Sequence, residues 1–419
     1  MDLQSRMEEL ASRAKQASRA IAEAPGHVKD MVLDELAGLL AARRDEIMEA
    51  NAADVRAARE AGMDEAKLDR LTITDKVLEA MIQGAREVRG QDDPVGAIET
   101  MWQRPNGLRV GRMRIPMGVV CMIYESRPNV TVDAAVLCLK AGNGVVLRGG
   151  TESFHSNQAL ASVLGEALRA GGLPEECVQV VPTTEREAVS HLLKLDQYID
   201  LVIPRGGEGL IRAVVDQAAM PVLKHYKGVC HAYVDRLADL EQALEIVRNG
   251  KVQRPGVCNA LECLLVHESV APAFLPEAAR LLGGDGVELR GCPESLKHLG
   301  DDAVPAGEED WGQEFHDLIL AVRTVSSMDE ALEHIAEYGS NHTEIICTRD
   351  HDRAMDFLQK ADASMVAVNA SSRFNDGGEL GLGAEIGIST SKLHAYGPMG
   401  AKELTTTKFV VLGRGQIRT

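Results

Sequence analysis

The sequence predicts an α/β fold in which two consecutive domains each contain a parallel sheet covered by helices. From residue 118 onward, short apolar runs alternate with helical segments, and the same alternation restarts at about residue 229. Continuous apolar strands separated by helices are typical of parallel sheets that are buried on both faces. At 419 residues the chain is also too long for one ordinary domain, so we expect a boundary near residue 228.

The individual elements follow from the spacing of the apolar residues. Within the first ninety residues, apolar side chains recur at steps of three and four, which predicts three amphipathic helices. Strands are predicted where apolar runs are bounded by Gly, Pro or charged turns. In the first domain they cover residues 118–124, 145–147, 178–181 and 201–203, and in the second residues 229–234, 261–266, 318–325, 343–347 and 364–368.

The composition narrows the class of partner. The chain carries 45 Lys and Arg against 63 Asp and Glu, and a formal net charge of −18 opposes a nucleic-acid or anionic-membrane surface. Its apolar runs are too short to span a bilayer, and its first residues lack a basic segment followed by an apolar stretch, so we expect a cytoplasmic protein. The eight cysteines form no Cys-x-x-Cys pair, which predicts free thiols and no metal site.

Turns after two predicted strands contain the residue types of a phosphate site. Glycine lets the backbone approach a phosphate, arginine adds paired donors, and a helix N-terminus presents free N–H groups. Turns also use glycine merely to reverse the chain, and that alternative stays open. Neither turn is a Gly-x-Gly-x-x-Gly fingerprint and the chain has no Walker loop, so a bound nucleotide is expected to be a redox cofactor. The two turns are Arg148-Gly149-Gly150 and Arg205-Gly206-Gly207.

Cys258 is the candidate nucleophile. It lies in a Pro-Gly turn just before a predicted buried strand, with Arg254 four residues upstream. A thiol at the mouth of a strand, near a positive charge, can be exposed and held as a thiolate. The alternative is that Cys258 is one of eight buried cysteines, as we expect for Cys263 inside the strand.

Two further segments carry polar residues at predicted strand ends. Asn129, where a helix begins, is a candidate donor to an oxyanion, and Arg127 is a candidate anion ligand. The alternative interpretation of this turn is helix capping. Arg373 precedes a glycine-rich loop at the end of a predicted strand, which is where ligands bind in parallel sheets.

Taken together, these segments resemble the glutamate-5-semialdehyde dehydrogenase family of the aldehyde dehydrogenase superfamily. The resemblance covers essentially the whole chain, and its motifs are residues 115–131, 251–258, 381–389 and 394–400. It implies an aldehyde-dehydrogenase-like fold of two Rossmann-like α/β domains and a small β oligomerisation element. The implied domains are residues 1–228 for NADP binding, with a β-extension at 105–117, residues 229–384 for catalysis, and residues 385–419 for the return to the cofactor domain and an oligomerisation strand.

The resemblance also implies residue roles. Cys258 is the nucleophile, and Asn129 with the Cys258 backbone N–H stabilises the oxyanion. NADPH binds in the first domain without the usual glycine fingerprint, Arg148 lies where an arginine suits a 2′-phosphate, and Glu314 holds the nicotinamide ribose. The residues expected to bind the cofactor are Arg148, Gly149, Gly150, Arg205, Gly206, Gly207 and Glu314, and those expected to bind the anionic substrate are Arg127, Arg254 and Arg373.

The implied reaction is the NADPH-dependent reduction of L-glutamyl 5-phosphate to L-glutamate 5-semialdehyde and phosphate through a cysteine thioester, the second step of proline biosynthesis. A homo-oligomer and a transient contact with glutamate 5-kinase are the implied partners. Ordinary aldehyde dehydrogenases carry a general-base glutamate where this chain has Leu223-Lys-His-Tyr-Lys-Gly228. Hydrolysis of a thioester needs such a base, whereas exchange with phosphate does not.

Two alternatives are weighed against this hypothesis. A general aldehyde dehydrogenase that oxidises aldehydes to acids is opposed by the missing carboxylate at residues 223–228. A non-catalytic binding or scaffold protein on the same fold is opposed by the presence of both Cys258 and Asn129.

Overall fold

The computed structural model describes residues 1–418 and divides the chain into two units. Unit 1 consists of Met1–Lys224, Gly381–Gly387 and the chain from Met399 onward, and unit 2 consists of His225–Leu380 and Ile388–Pro398. The predicted α/β class is confirmed, because parallel strands alternate with helices in both units.

Residues up to 224 form the larger part of unit 1. Its elements are α1 (Leu3–Glu23), α2 (Gly26–Ala42), α3 (Arg44–Glu60), α4 (Glu65–Leu71), α5 (Asp75–Arg89), β1 (Ile98–Gln103), β2 (Arg109–Pro116), β3 (Val119–Tyr124), α6 (Asn129–Lys140), β4 (Gly144–Arg148), α7 (Phe154–Ala170), β5 (Val178–Val180), α8 (Glu187–Leu192), β6 (Leu201–Arg205) and α9 (Glu208–Gln217).

The remaining elements follow in chain order. They are β7 (Cys230–Val234), α10 (Leu240–Val252), β8 (Leu261–His267), α11 (Ala271–Gly284), β9 (Glu288–Gly291), α12 (Pro293–Leu299), β10 (Val304–Pro305), β11 (Ile319–Val325), α13 (Met328–Tyr338), β12 (Thr343–Cys347), α14 (His351–Lys360), β13 (Met365–Val368), β14 (Ile388–Ser389), β15 (Gly397–Pro398) and β16 (Thr405–Leu412).

The core of unit 1 is a parallel sheet in the order β5-β4-β3-β6. Every residue of β3 is buried, as expected for a strand that is covered on both faces. The apolar stripe of α1, including Met7 and Leu10, packs on this sheet against Val119 and Cys121. The carboxyl ends of β3, β4 and β6 therefore deliver their following turns to one edge of the sheet.

A second, antiparallel sheet in unit 1 has the order β1-β2-β16. Strand β16 pairs with β2 along its whole length, from Thr405 opposite Pro116 to Leu412 opposite Arg109. The strand β2 lies within the β-extension predicted at residues 105–117.

Unit 2 contains a parallel sheet in the order β10-β9-β11-β8-β7-β12-β13. Its central strands β7, β8 and β12 are buried at every residue. The short pair β14 and β15 also belongs to unit 2, although residues 385–419 are predicted together with the first domain. Lys392 and Tyr396, between these two strands, bind the carboxylate of Asp362 in unit 2. Residue 419 of that predicted segment lies outside the described residues.

The structure differs from the sequence prediction where polar contacts override the apolar pattern. Three helices are predicted within the first ninety residues, whereas the structure has five, α1 to α5, and one of the breaks lies at Arg43, between α2 and α3. The Arg43 guanidinium binds Glu46 and, in α7, Glu166, and neither partner lies on the apolar stripe. Strands β1 and β9 are missing from the prediction because their residues are largely polar or exposed and form no apolar run.

No helix within residues 1–418 is long and apolar enough to cross a lipid bilayer.

A buried charge ties the end of β7 to α14 in unit 2. The side chain of Asp235 is fully buried, and Arg353 donates to both of its oxygens at 2.5 to 2.9 Å. Thr348 donates to Asp235 Oδ2 at 2.9 Å and Tyr233 to Oδ1 at 3.1 Å. Burial alone would raise the pKa of Asp235, but the bonds from Arg353 and Thr348 outweigh it and lower the pKa.

We predict that Asp235→Ala lowers the free energy of unfolding by about 3 to 5 kcal/mol, because it leaves Arg353 without its buried partner. The matched control Asp356→Ala, at an exposed position of the same helix as Arg353, is expected to change it by less than about 0.5 kcal/mol. Urea unfolding followed by circular dichroism gives both values. Equal effects of the two substitutions would contradict the prediction.

Candidate active site

Cys258 lies in a turn between α10 and β8 of unit 2. All eight cysteines belong to the described residues, and Cys258 and Cys292 are the two that are not fully buried. The Cys292 Sγ accepts a backbone N–H at the start of α12, so this thiol caps a helix. Burial raises the pKa of Cys121, Cys177 and Cys347 to about 12, which keeps these thiols protonated and unreactive. Cys258 is the thiol best placed for chemistry.

The backbone of this turn is held against the residues that precede and begin β7. A Cβ built on Gly228 would lie 2.0 Å from the carbonyl oxygen of Cys258, so a side chain does not fit there. The thiol of Cys230 donates to the same oxygen at 3.3 Å. These contacts fix the peptide group of Cys258.

A buried ion pair joins the two ends of the turn. Lys251 Nζ, in α10, lies 2.6 Å from Glu262 Oε2, in β8, and both side chains are at most 1% exposed. Burial lowers the pKa of Lys251 and raises that of Glu262 to about 7, while the attraction between the two groups opposes both changes. Glu314 lies close enough to raise the pKa of Glu262 further. The structure therefore brings Glu314 near one end of the Cys258 turn.

Two of the predicted arginines lie close to Cys258. The pKa of Arg373 is lowered, chiefly by burial. Asp376 opposes this change, the positive charge of Arg254 adds to it, and Cys258 opposes it, so these groups all lie near the Arg373 guanidinium. The Arg373 Nε donates to Gln253 Oε1 at 2.6 Å, which ties the segment after β13 to the turn that contains Cys258. The structure thus groups Arg254, Arg373 and Cys258 within unit 2.

The predicted oxyanion donor lies in unit 1. Asn129 is the first residue of α6, and its Nδ2 donates to Asp133 Oδ2 at 2.8 Å. Burial raises the pKa of Asp133 to about 6, although Asn129 and Arg205 lower it, and Glu385 raises it. The sequence motifs do not identify Asp133. A side chain four residues after Asn129 on a helix lies on the same face, so that spacing is a usable signal.

The turn before Asn129 has an unusual backbone. Ser126 has a φ of 44°, in the left-handed region that non-glycine residues rarely adopt. Glu152 Oε1 accepts both the backbone N–H and the hydroxyl of Ser126, each at 2.7 Å. This carboxylate fixes the turn that contains Arg127, which is partly buried.

The turn after β4 contains Arg148, whose side chain is directed to backbone carbonyls. Its guanidinium donates to the carbonyl of Gly149 and, at 3.3 Å, to that of Thr184. Its Nε is buried and has no hydrogen-bond partner within residues 1–418. A Cβ on Gly149 would lie 2.0 Å from Asn157, and one on Gly150 would collide with Glu152. Packing alone therefore explains why neither position carries a side chain, and a role of these two glycines in binding phosphate stays a prediction.

The turn after β6 is occupied by acidic side chains. The N–H of Gly207 donates to Glu125 Oε2 at 3.1 Å, and a Cβ on Gly206 would collide with the same carboxylate. The Arg205 guanidinium lies 3.6 Å from the Glu385 carboxylate, and its positive charge lowers the pKa of Asp133. The structure thus places Arg205 near Asp133, the hydrogen-bond partner of Asn129. A phosphate bound at this turn would have to displace the Glu125 carboxylate.

The sequence predicts no metal site, and the structure groups His231, Cys263 and His334 in the core of unit 2. Arg323 contacts His334 Nδ1 at 3.1 Å, and because arginine only donates, the ring proton of His334 is on Nε2. That nitrogen faces Cys263 Sγ at 3.5 Å and has no lone pair for a metal. Burial lowers the pKa of His334 to about 3, so the ring stays neutral. His334 and Cys263 are therefore engaged by hydrogen bonds, and His231 Nδ1 lies 3.0 Å from the buried carboxylate of Glu344.

A family model described as the aldehyde dehydrogenase family matches residues 3–282. A gamma-glutamyl phosphate reductase of Nitratidesulfovibrio vulgaris strain DP4 is 67% identical over 418 residues, which make up 100% of both chains. This chain belongs to the aldehyde dehydrogenase family. The crystal structure of a gamma-glutamyl phosphate reductase from Thermotoga maritima matches with a TM-score of 0.95 and 46% identity, over 99% of this chain and 100% of that one.

More distant structures show the aldehyde dehydrogenase fold alone. An acetylating aldehyde dehydrogenase from Geobacillus thermoglucosidasius matches with a TM-score of 0.72 at 17% identity, over 100% of this chain and 98% of that one. The predicted resemblance and the predicted aldehyde-dehydrogenase-like fold are confirmed. As a member of the aldehyde dehydrogenase family, the chain is an oxidoreductase that uses a nicotinamide cofactor on a small-molecule substrate. The roles of individual site residues stay predictions.

We predict that Gly228→Ala lowers nicotinamide-dependent turnover by about 100-fold, because the new Cβ forces the Cys258 carbonyl to shift. The control is Gly283→Ala, at the end of α11 in the same unit, where a Cβ meets no atom within 4 Å. The measurement is the change in nicotinamide absorbance, with thermal unfolding to confirm that both variants are folded. A folded Gly228→Ala variant with normal turnover would show that the contact is not needed.

Proposed function

We propose that this chain reduces L-glutamyl 5-phosphate to L-glutamate 5-semialdehyde and phosphate with NADPH, through a thioester on Cys258. The reaction is a step of proline biosynthesis, and the chain is 67% identical to a gamma-glutamyl phosphate reductase. The observation that carries the proposal is the partly exposed Cys258 thiol, held in a fixed turn and grouped with Arg254 and Arg373. A thiol with two cations nearby suits attack on a phosphorylated, anionic substrate.

The first step forms the bond between the Cys258 sulfur and the γ-carbonyl carbon of the substrate. The bond from that carbon to the phosphate oxygen breaks, and phosphate leaves with the electron pair. Bound NADPH supplies the hydride that reduces the thioester. The Asn129 amide and the Cys258 backbone N–H stabilise the resulting oxyanion. Collapse of the thiohemiacetal breaks the carbon–sulfur bond, releases the aldehyde and restores the Cys258 thiolate.

The acyl acceptor in the reverse direction is phosphate. Residues 223–228 contain no Asp or Glu to activate water, so hydrolysis of the thioester lacks a general base at this segment. This absence favours acyl-phosphate chemistry over the general aldehyde dehydrogenase alternative.

We assign the cofactor to unit 1 and Glu314, and the nucleophile Cys258 to unit 2. The buried, unpartnered Nε of Arg148 supports a role at a 2′-phosphate, which would favour NADPH over NADH. Glu314, with a side chain 11% exposed, is assigned to the nicotinamide ribose. Gly149, Gly150, Arg205, Gly206 and Gly207 are assigned as supporting cofactor residues, as the resemblance implies.

The substrate anions are assigned to Arg127, Arg254 and Arg373. The chain as a whole carries a net charge of −18, so the field of the whole protein does not attract an anionic substrate. Arginines at the site supply the positive charge locally, for the phosphate and the α-carboxylate.

The partner surface belongs to the antiparallel sheet of unit 1. Trp102 of β1 and Phe409, Val411 and Leu412 of β16 are each at least 40% exposed, and large apolar side chains exposed together favour an interface. We therefore assign this sheet, with β1 and β16 and the β2 strand between them, to a contact between copies of this chain. A transient contact with glutamate 5-kinase and a cytoplasmic location complete the proposal, the latter supported by eight free cysteines.

We predict that the purified protein reduces NADP⁺ with glutamate 5-semialdehyde only when phosphate is present. The thioester needs an acyl acceptor, and phosphate is the one that this chain can use without a general base. Cys258→Ser is expected to remove at least about 99% of this turnover, since the hydroxyl is a far weaker nucleophile, whereas Cys292→Ser should retain most of it. Rapid oxidation without phosphate would instead favour a general aldehyde dehydrogenase.

We predict that Arg148→Ala raises the KM for NADPH by about tenfold, because an arginine–phosphate contact is a charge-assisted hydrogen bond. The KM for NADH, which has no 2′-phosphate, should stay within about twofold of the unchanged enzyme. Steady-state kinetics with both cofactors gives the two values. A parallel rise for both cofactors would contradict the assignment of Arg148 to the 2′-phosphate.

A further inference from the structure

We propose that Asp133 is a positioning residue, and that its ionised carboxylate orients the side-chain amide of Asn129 toward the reacting carbonyl. The inference rests on the proposed function, in which Asn129 stabilises the oxyanion. Nothing in the sequence motifs assigns a role to Asp133.

The hydrogen bond between the two side chains selects one orientation of the amide. Asn129 Nδ2 lies 2.8 Å from Asp133 Oδ2, one helical turn further along α6. An ionised carboxylate only accepts hydrogen bonds, so it admits the amide nitrogen of Asn129 and repels the amide oxygen. An amide nitrogen has two hydrogens. One donates to Asp133, and the second stays available for an oxyanion.

The orientation of the Asn129 amide depends on whether Asp133 is protonated, and the groups around Asp133 set its pKa. The charged groups that act on the carboxylate are Arg205, at the end of β6, and Glu385, in the segment 381–387, and these two lie 3.6 Å apart. Burial raises the pKa of Asp133 to about 6, the Asn129 bond and Arg205 lower it, and Glu385 raises it. Above that pH the carboxylate is ionised and fixes the amide.

Protonation removes the selection. A protonated carboxyl has an O–H that can donate to the amide oxygen of Asn129, so the flipped amide becomes equally acceptable. In that orientation the amide nitrogen points elsewhere. The oxyanion then loses a donor, and the loss affects the chemical step rather than substrate binding.

The pair has a structural alternative, in which it only stabilises the first turn of α6. That role would change the unfolding temperature, but it would leave no trace in the pH dependence of turnover. A double-mutant cycle separates the two, because a residue that acts through Asn129 has no effect once Asn129 is gone.

The experiment measures kcat and KM of the phosphate-dependent reaction from pH 5 to pH 9 in the full-length protein. The variants are Asn129→Ala, Asp133→Leu, their combination, and Asp133→Asn, which keeps an acceptor oxygen but does not titrate. Asp216→Asn, at an exposed position of α9, is the matched control. We expect Asn129→Ala to lower kcat by about 100-fold, as for loss of one oxyanion donor.

At pH 8, Asp133→Leu should lower kcat by about tenfold with little change in KM, and should have no further effect in the Asn129→Ala background. Asp133→Asn should lower kcat at pH 8 as well, because its amide N–H can donate to a flipped Asn129 oxygen as a protonated carboxyl does. It should also lose the further decline of kcat below about pH 6 that the unchanged protein and Asp216→Asn show.

Two results would overturn the inference while leaving the proposed function intact. One is a full tenfold effect of Asp133→Leu in the Asn129→Ala background, and the other is an unchanged pH profile in Asp133→Asn. The second result decides the matter even if Asp133→Leu does not fold. A normal kcat in Asn129→Ala would instead remove the oxyanion assignment from the proposed function, and the role of Asp133 with it.

Discussion

A reactive thiol must reach solvent, whereas the backbone that carries it must stay in one position. In this chain, the close approach of Gly228 to the carbonyl of Cys258 holds the backbone, while Cys258 itself remains partly exposed. The Cys230 thiol binds the same carbonyl, and the buried Lys251–Glu262 pair joins the ends of the turn. Buried charges of this kind contribute little net stability when their desolvation is included, so the pair is better understood as fixing geometry.

The electrostatics of the chain are divided between the whole surface and the sites. A net charge of −18 keeps the protein strongly acidic, yet the proposed ligands are themselves anions. Positive groups are placed individually at or after strand ends, as at Arg148 and Arg373, which are partly desolvated. Desolvation lowers the pKa of Arg148 and Arg373, which means that an anionic ligand would relieve an existing cost as it binds.

Much of the fold can be predicted from the sequence because buried parallel strands leave continuous apolar runs, as β3 and β8 do. The candidate site is harder, since its geometry depends on contacts between residues far apart in the chain. Nothing in the local sequence pattern shows that Lys251 pairs with Glu262 rather than with a surface carboxylate. Nor does it show that the Glu125 carboxylate accepts a hydrogen bond from the N–H of Gly207. Asp133 is an intermediate case, because its helical spacing from Asn129 is visible but its burial is not.

The pairing of β16 with β2 has a consequence for how the chain is made. The two strands are separated by almost the whole of unit 2 in sequence, and Leu412 is paired with Arg109. A ribosome delivers β2 long before β16, so during synthesis one edge of β2 has no strand to bond with. Unit 1 therefore completes its antiparallel sheet only after release of the C-terminal residues. Until then, β2 exposes an unpaired strand edge that is open to association with other chains.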